Sequence, residues 1–210
     1  MSSSNETYCS FTLPSELTTG GLPSEADICL SLESRSAPAQ IAALKSCIMA
    51  MLAGEAMPKV VMQVIRYCIN TDDHQLKKVI QLFWEVVPKF QPRAPGSKEP
   101  EKLLPEMILV CNALMNDLNH PNEYVRGSML RFLCKINSSE ILGPLMESIK
   151  SNLEHRHSYV RKNAALCAFH VHRMHGEALL PDGPEMMARF IAAETDSCAR
   201  RNAFLMLINQ

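Results

Sequence analysis

The chain has 210 residues, 47 % of them hydrophobic, and a formal net charge of −1. That size and apolar fraction suffice to bury a substantial core in one domain or one solenoid segment. The near-neutral balance argues against a strong electrostatic footprint for nucleic acid or anionic lipid, and no nucleic acid is expected as a partner.

The longest apolar run near the front, Ile48 to Ala53, is far short of a membrane span. Ser2, Ser3, Ser4 and Asn5 do not make the basic start and apolar segment of a signal peptide. Eight cysteines are widely spaced and never form Cys-x-x-Cys. Several fall inside apolar helical patterns, where a thiol behaves as a small hydrophobe, so a reduced, intracellular protein is expected rather than a disulfide framework.

Residues 1–33 are rich in Ser, Thr, Pro and Gly without a sustained period. They read as a loosely ordered arm with a short helix near Glu25 to Leu32. Residues 34–210 read as the repeat-forming part. Ile41, Leu44, Ile48 and Leu52 share a helical face, which Gly54 closes. Pro58 suits the first turn of a second helix, bearing Val61, Val64, Ile65, Cys68 and Ile69. Asp72 or Asp73 can cap a third, with Leu76, Val79, Ile80, Phe83 and Val87 inward.

Over residues 89–101 the period collapses among prolines, Gly96 and charges, predicting an exposed loop. Helical pattern then resumes. Leu104, Met107, Ile108, Cys111, Leu114, Met115 and Leu118 line one face; Asn122 caps the next helix, with Val125, Met129, Phe132, Leu133 and Ile136. Ser139 starts another through Leu153, Ser158 leads the longest, and Asp196 caps the last after a short helix bearing Met187, Phe190 and Ile191.

One stretch is written twice. Leu118-Asn119-His120-Pro121-Asn122-Glu123-Tyr124-Val125-Arg126 returns 35 residues later as Leu153 to Arg161, sharing leucine, histidine, tyrosine, valine and arginine. A weaker third copy runs from Asp196 to Ala203. About nine helices with no convincing strand, at roughly 35–40 residues per pair, predict an all-α, HEAT/armadillo-like solenoid: a right-handed superhelix of antiparallel helix pairs.

Arg126, Arg161 and Arg200 open successive second helices of the pairs, so a structural ladder is expected. In it the arginines bond turn carbonyls and acidic side chains of adjacent repeats, with Asp117, Asn122 and Asp196 as acceptors. A ligand site is the competing use. His155, His157, His170, His172 and His175 crowd one region, yet His170 and His172 point about 200° apart on a helix, and no thiol or carboxylate completes a set. No metal, cofactor or catalytic residue is expected, and no phosphate loop, Gly-x-Ser-x-Gly or His-Glu-x-x-His occurs. The 13 methionines read as core filler. Phe90 and Tyr124 read as exposed aromatics, and Trp84 as half-buried.

The block Asp117 to Lys135 strongly resembles the N-terminal trunk of the coatomer beta subunits in the adaptin/coatomer family. So do Leu153 to Asn163, Met107 to Cys111, Phe83 to Lys89 and Arg200 to Ile208, in order and spacing, from about residue 36 onward. The first 35 residues carry no such likeness, and the family's subunit is several times longer. The resemblance therefore implies an N-terminal fragment or a short copy. It also implies a non-enzymatic scaffold of the COPI vesicle coat, peripheral on Golgi membrane and cytoplasmic, acting in intra-Golgi and Golgi-to-ER transport. The implied partners are other coatomer subunits, the delta subunit especially, and a GTP-loaded Arf-type small GTPase. Alternatives on the same fold are another HEAT-repeat scaffold of clathrin-adaptor or transport-receptor type, a truncated copy without function, and an iron-dependent HEAT enzyme.

Overall fold

In a computed structural model the chain is described over residues 23–91 and 102–209. Five helix pairs follow one another along it. The first pair is α1 (Glu25–Glu33) and α2 (Ala37–Leu52); the second is α3 (Pro58–Tyr67) and α4 (His74–Val86); the third is α5 (Met107–Leu118) and α6 (Glu123–Leu133). The fourth opens with α7 (Ser139–Leu142) and α8 (Met146–Ser151), joined by one 3-10 turn and followed by another, and closes with α9 (Ser158–His175). The fifth is α10 (Gly183–Ala193) and α11 (Ser197–Ile208). No strand occurs among the described residues, so the fold is the all-α helical solenoid expected.

The second helices stack on one another, α2 on α4, α6 on α9 and α9 on α11. The first helices form a parallel layer, with α1 on α3 and α5 against the α7–α8 segment. One apolar core runs between the layers from Ile28 to Met206. Each large side chain buried there stabilises the fold by about 1.5–3 kcal/mol.

Local chemistry sets the boundaries. Ser24 and Asp27 form a capping box on α1, and the Asp73 side chain accepts from Leu76 N on α4. Asn122 accepts from Tyr124 N on α6, and Asp196 from Ala199 N on α11. Pro58 occupies the first turn of α3. Gly54 ends α2 at φ +99°, a conformation that a side chain disfavours.

The structure departs from expectation at several places. The Glu25 to Leu32 helix is not loose: Ile28 and Leu32 are fully buried against the first repeats, and Lys59 N donates to Glu25 Oε1 at 2.8 Å. Residues 1–22 of the expected arm lie outside the described residues. The helix expected from Ser139 to Leu153 is broken once, because Pro144 has no N–H to continue the ladder and leaves a 3-10 turn over Gly143–Leu145, and its last residues form a second 3-10 turn, Asn152–Glu154. Trp84 is fully buried, edge-on to Phe83 with centroids 5.0 Å apart, because the next repeat covers that edge of α4. Leu52 and Ile108 are exposed: the former ends its helix and the latter faces away from the stacked layer.

Phe90 pairs with Leu103 in an isolated antiparallel bridge, and Gln91 N donates to Lys102 O at 2.9 Å. The bridge half-buries Phe90 and clips together the base of the 89–101 segment; residues 92–101 lie outside the described residues.

Candidate functional site

Counting from each N-cap places one side chain at the same post in all five second helices. The caps are Ser36, Asp73, Asn122, His157 and Asp196. Four residues on stand Gln40, Lys77, Arg126, Arg161 and Arg200. One helical turn past the cap lets the first four reach back to the loop or helix end nearby or across to the next repeat.

Gln40 Nε2 donates to Leu32 O at 2.9 Å, at the end of its own first helix, and to Tyr67 O at 3.5 Å, at the end of the next repeat's. Lys77 Nζ reaches Asp117 Oδ1 at 2.6 Å, at the end of α5. Arg126 donates to His120 O at 2.6 Å and Asn119 O at 3.0 Å in its own loop. Its Nη1 also reaches Asn152 Oδ1 of the next repeat at 3.1 Å. Asn152 is fully buried and donates in turn to Leu118 O and Ser148 O.

Arg161 makes the strongest rung. Its Nη1 donates to His155 O and Arg156 O at 2.9 Å, while Nε and Nη2 fork onto Glu194 Oε2 and Oε1 at 2.6 and 2.8 Å. Glu194 Oε1 also accepts the amides of Thr195 and Asp196, both at 2.8 Å. Its side chain is only 2 % exposed. The Arg161 guanidinium and those two amides outweigh burial and hold the Glu194 carboxyl down at about 2. Reciprocally, the carboxylate raises the Arg161 pKa.

The six residues expected to build the ladder therefore fall as follows. Arg126 and Arg161 bind turn carbonyls and the next repeat. Asp117 takes Lys77 rather than an arginine. Asp196 caps its own helix, and the carboxylate that meets Arg161 is Glu194, two residues earlier. Asn122 likewise caps α6 and accepts from Tyr124 N. Arg200 is exposed, and its side chain has no hydrogen-bond partner among the described residues. Gln40, Lys77, Asn152 and Glu194 were not among the expected residues. The constant cap-plus-four spacing is the signal that finds the first two.

The repeated histidines have a local task. His120 Nδ1 accepts from Asn122 N at 3.0 Å, and His155 Nδ1 from His157 N at 3.1 Å. Each holds its loop as an Asx side chain would. Burial, with Arg126 and Arg156 nearby, lowers the His155 pKa. His170, His172 and His175 each keep one buried ring nitrogen without a hydrogen-bond partner. Burial lowers the His170 pKa. Among the described residues no three His, Cys, Asp or Glu side chains converge as metal ligands.

Beside the Arg161–Glu194 rung, a groove of about 650 Å³ runs between the first helices of the fourth and fifth repeats. Met186 and Phe190 contribute apolar surface to it, and the Lys150–Asp182 pair, 2.9 Å apart, lies along it. Tyr124 stands 63 % exposed, with its ring centroid 5.5 Å from that of Tyr159. Tyr159 lies across Gly127, where a Cβ would come 2.1 Å from the ring, so α6 and α9 approach each other as closely as glycine permits.

Stacked helix hairpins clamped at their loops, with interior surface spent on repeat-to-repeat contact, define a helical-repeat scaffold. The Adaptin N terminal region family matches residues 25–209, and the chain belongs to it. It is 46 % identical over 187 residues to "Coatomer subunit beta" of Sus scrofa, covering 89 % of this chain and 19 % of that protein. Against the subunit of the same name from Dictyostelium discoideum it is 46 % identical over 170 residues, 81 % of this chain and 18 % of the relative. "Coatomer subunit beta-1" of Oryza sativa subsp. japonica is 45 % identical over 189 residues, again 89 % and 19 %. The chain thus spans about a fifth of the length of these relatives.

Proposed function

We propose that this chain is a trunk segment of a COPI-type vesicle coat, serving as a non-enzymatic scaffold in intra-Golgi and Golgi-to-ER transport. The observation that carries the reading is the ladder running through residues that match the coatomer beta relatives over most of the chain. A coat trunk must hold a fixed curvature while presenting surfaces to partners, and loop clamps such as Arg161–Glu194 supply that stiffness. In this reading the partners are other coatomer subunits, the delta subunit foremost, and an Arf-type small GTPase in its GTP form. The segment then sits on the cytoplasmic face of Golgi membrane through the coat. No helix of the described residues is long and apolar enough to cross a membrane, which fits attachment through partners.

The test is retention of the chain on an immobilised Arf-type GTPase, GTP-locked against GDP-bound, with and without co-expressed delta subunit. Nucleotide-dependent retention and a stable delta complex are expected. Equal, negligible retention in both nucleotide states together with no delta complex overturns the reading.

A further inference from the structure

The net charge of −1 conceals a division between the two layers. The second helices α2, α4, α6, α9 and α11 carry ten lysines and arginines against two acids, Glu85 and Glu123. The first helices carry four such cations against seven acids. Protein surfaces ordinarily intersperse both signs, so a layer this one-sided is a field with a direction.

Counting from the N-caps shows where these cations stand. Lys78, Lys162 and Arg201 lie five residues past their caps, Lys45 and Arg131 nine, and Arg173 sixteen. At about 100° per residue those counts fall within about 40° of one another, on one face of each helix. The core lies on the other side. Seven residues past the caps stand Ala43, Ile80, Met129, Ala164 and Ala203, all buried, about 180° around the helix from the cations. Lys162 is half-buried, with Nζ 5.2 Å from the centroid of the Tyr159 ring; the other five cations are exposed. None of the six forms an ion pair among the described residues. Glu85 is already engaged by Lys135 at 2.7 Å, and Glu123 lies in the first turn of α6. Exposed Leu82 and Tyr124, nine and two residues past their caps, add apolar surface to the same face.

We propose that this outward face of the second-helix layer is a docking surface for an acidic polypeptide segment lying across the helices. Stacked helices lie about 8–10 Å apart, so the cations recur at that spacing from one repeat to the next. A polyproline II segment has about three residues per turn and advances about 9 Å in that turn, returning to the same side. A carboxylate at every third residue therefore meets one cation on each second helix, with Arg173 a further one on α9. The residues between rest on Leu82 and Tyr124. The acidic first-helix layer and the near-zero net charge leave little long-range field for a polyanion. A short peptide read at contact thus fits this face better than nucleic acid or an anionic lipid surface. The inference rests on the placement of these side chains alone and stands or falls apart from the coat reading.

The experiment titrates the purified full chain into a fluorescein-labelled peptide with one Glu-Pro-Pro unit for each of the five second helices and follows anisotropy. Saturable binding is expected, weakening about tenfold as salt rises from about 50 to about 300 mM. A Lys-Pro-Pro peptide of the same length should not bind. Reversing one row, Lys78→Glu with Lys162→Glu and Arg201→Glu, should weaken binding by at least about tenfold. Lys59→Glu with Arg66→Glu, on α3 of the other layer, should leave it within about twofold. Urea titration checks that each variant folds; if the triple variant does not, Lys45→Glu with Arg131→Glu gives the same reading. The proposal is overturned by an absence of saturable binding to the wild type, or by undiminished binding to a folded row variant. Equal affinity for a peptide of the same composition with its glutamates in one block also overturns it. So does tighter binding of oligouridine, or of phosphatidylcholine vesicles containing phosphatidylserine, than of the peptide.

Discussion

The loops at Leu118–Arg126 and Leu153–Arg161 carry the same leucine, histidine, tyrosine, valine and arginine, yet they build different clamps. Within the loop they agree: each arginine binds the histidine carbonyl, and each histidine accepts the amide two residues on. Across the repeat boundary they part. Arg126 meets the neutral Asn152, whereas Arg161 meets the buried carboxylate of Glu194. The motif therefore specifies its own loop and only offers a cation to the neighbour; the neighbour decides whether the rung is an ion pair. A buried guanidinium accepts either partner so long as its donors are matched.

The largest expected effect comes from emptying the charged rung. Glu194→Ala leaves the Arg161 guanidinium without its fork and should lower unfolding stability by about 3 kcal/mol in urea titration. The pH dependence follows from the depressed carboxyl. Folded Glu194 titrates at about 2 against an ordinary 4.5, so the unfolded chain binds more protons between those values. Its contribution is complete above about 4.5 and is lost as pH falls toward 2. Subtracting the pH profile of Glu194→Gln from that of the wild type should isolate this loss.

Charging the neutral rung is the converse. Asn152→Asp brings a carboxylate to Arg126 but sets its second oxygen against Leu118 O and Ser148 O, which the amide group now satisfies. A loss of about 1–3 kcal/mol is expected despite the new ion pair. A gain in stability would show the two rungs to be interchangeable.

A smaller effect separates the loops themselves. His155 titrates below its ordinary 6.5, so its bond to His157 N is intact above that value and is lost as pH falls beneath it. His155→Asn keeps an acceptor in place and should flatten the decline of the urea midpoint between about pH 7.5 and about pH 5.5. Smallest of all is Arg200→Ala. It removes the cap-plus-four cation that has no partner among the described residues, and stability should stay within about 0.5 kcal/mol of wild type.

What could be read in advance follows the range of the interactions. Asp73, Asn122 and Asp196 are legible as caps because a cap is a contract between residues two or three apart. Periodicity likewise placed Leu76, Phe83, Leu114 and Met129 in the core. Trp84 was not legible, since its helix alone shows a half-turned edge and only the next repeat covers it. Glu194 was not legible either. At the end of α10 it sits beside Asp196, and nothing local says which carboxylate turns inward.

By itself, then, the sequence determined most of the helices, the caps Asp73, Asn122 and Asp196 and the repeat period, which rest on side-chain type and short spacing, and the family through the resemblance of its loop blocks. Only the tertiary structure decided which acceptor each cap-plus-four side chain finds and that Tyr159 closes over Gly127 at the seam between α6 and α9. The physical reason is that these partners lie 26 to 40 residues apart along the chain. They become neighbours only when one hairpin stacks on the next, and that stacking is set by core volume and close approach rather than by any local pattern.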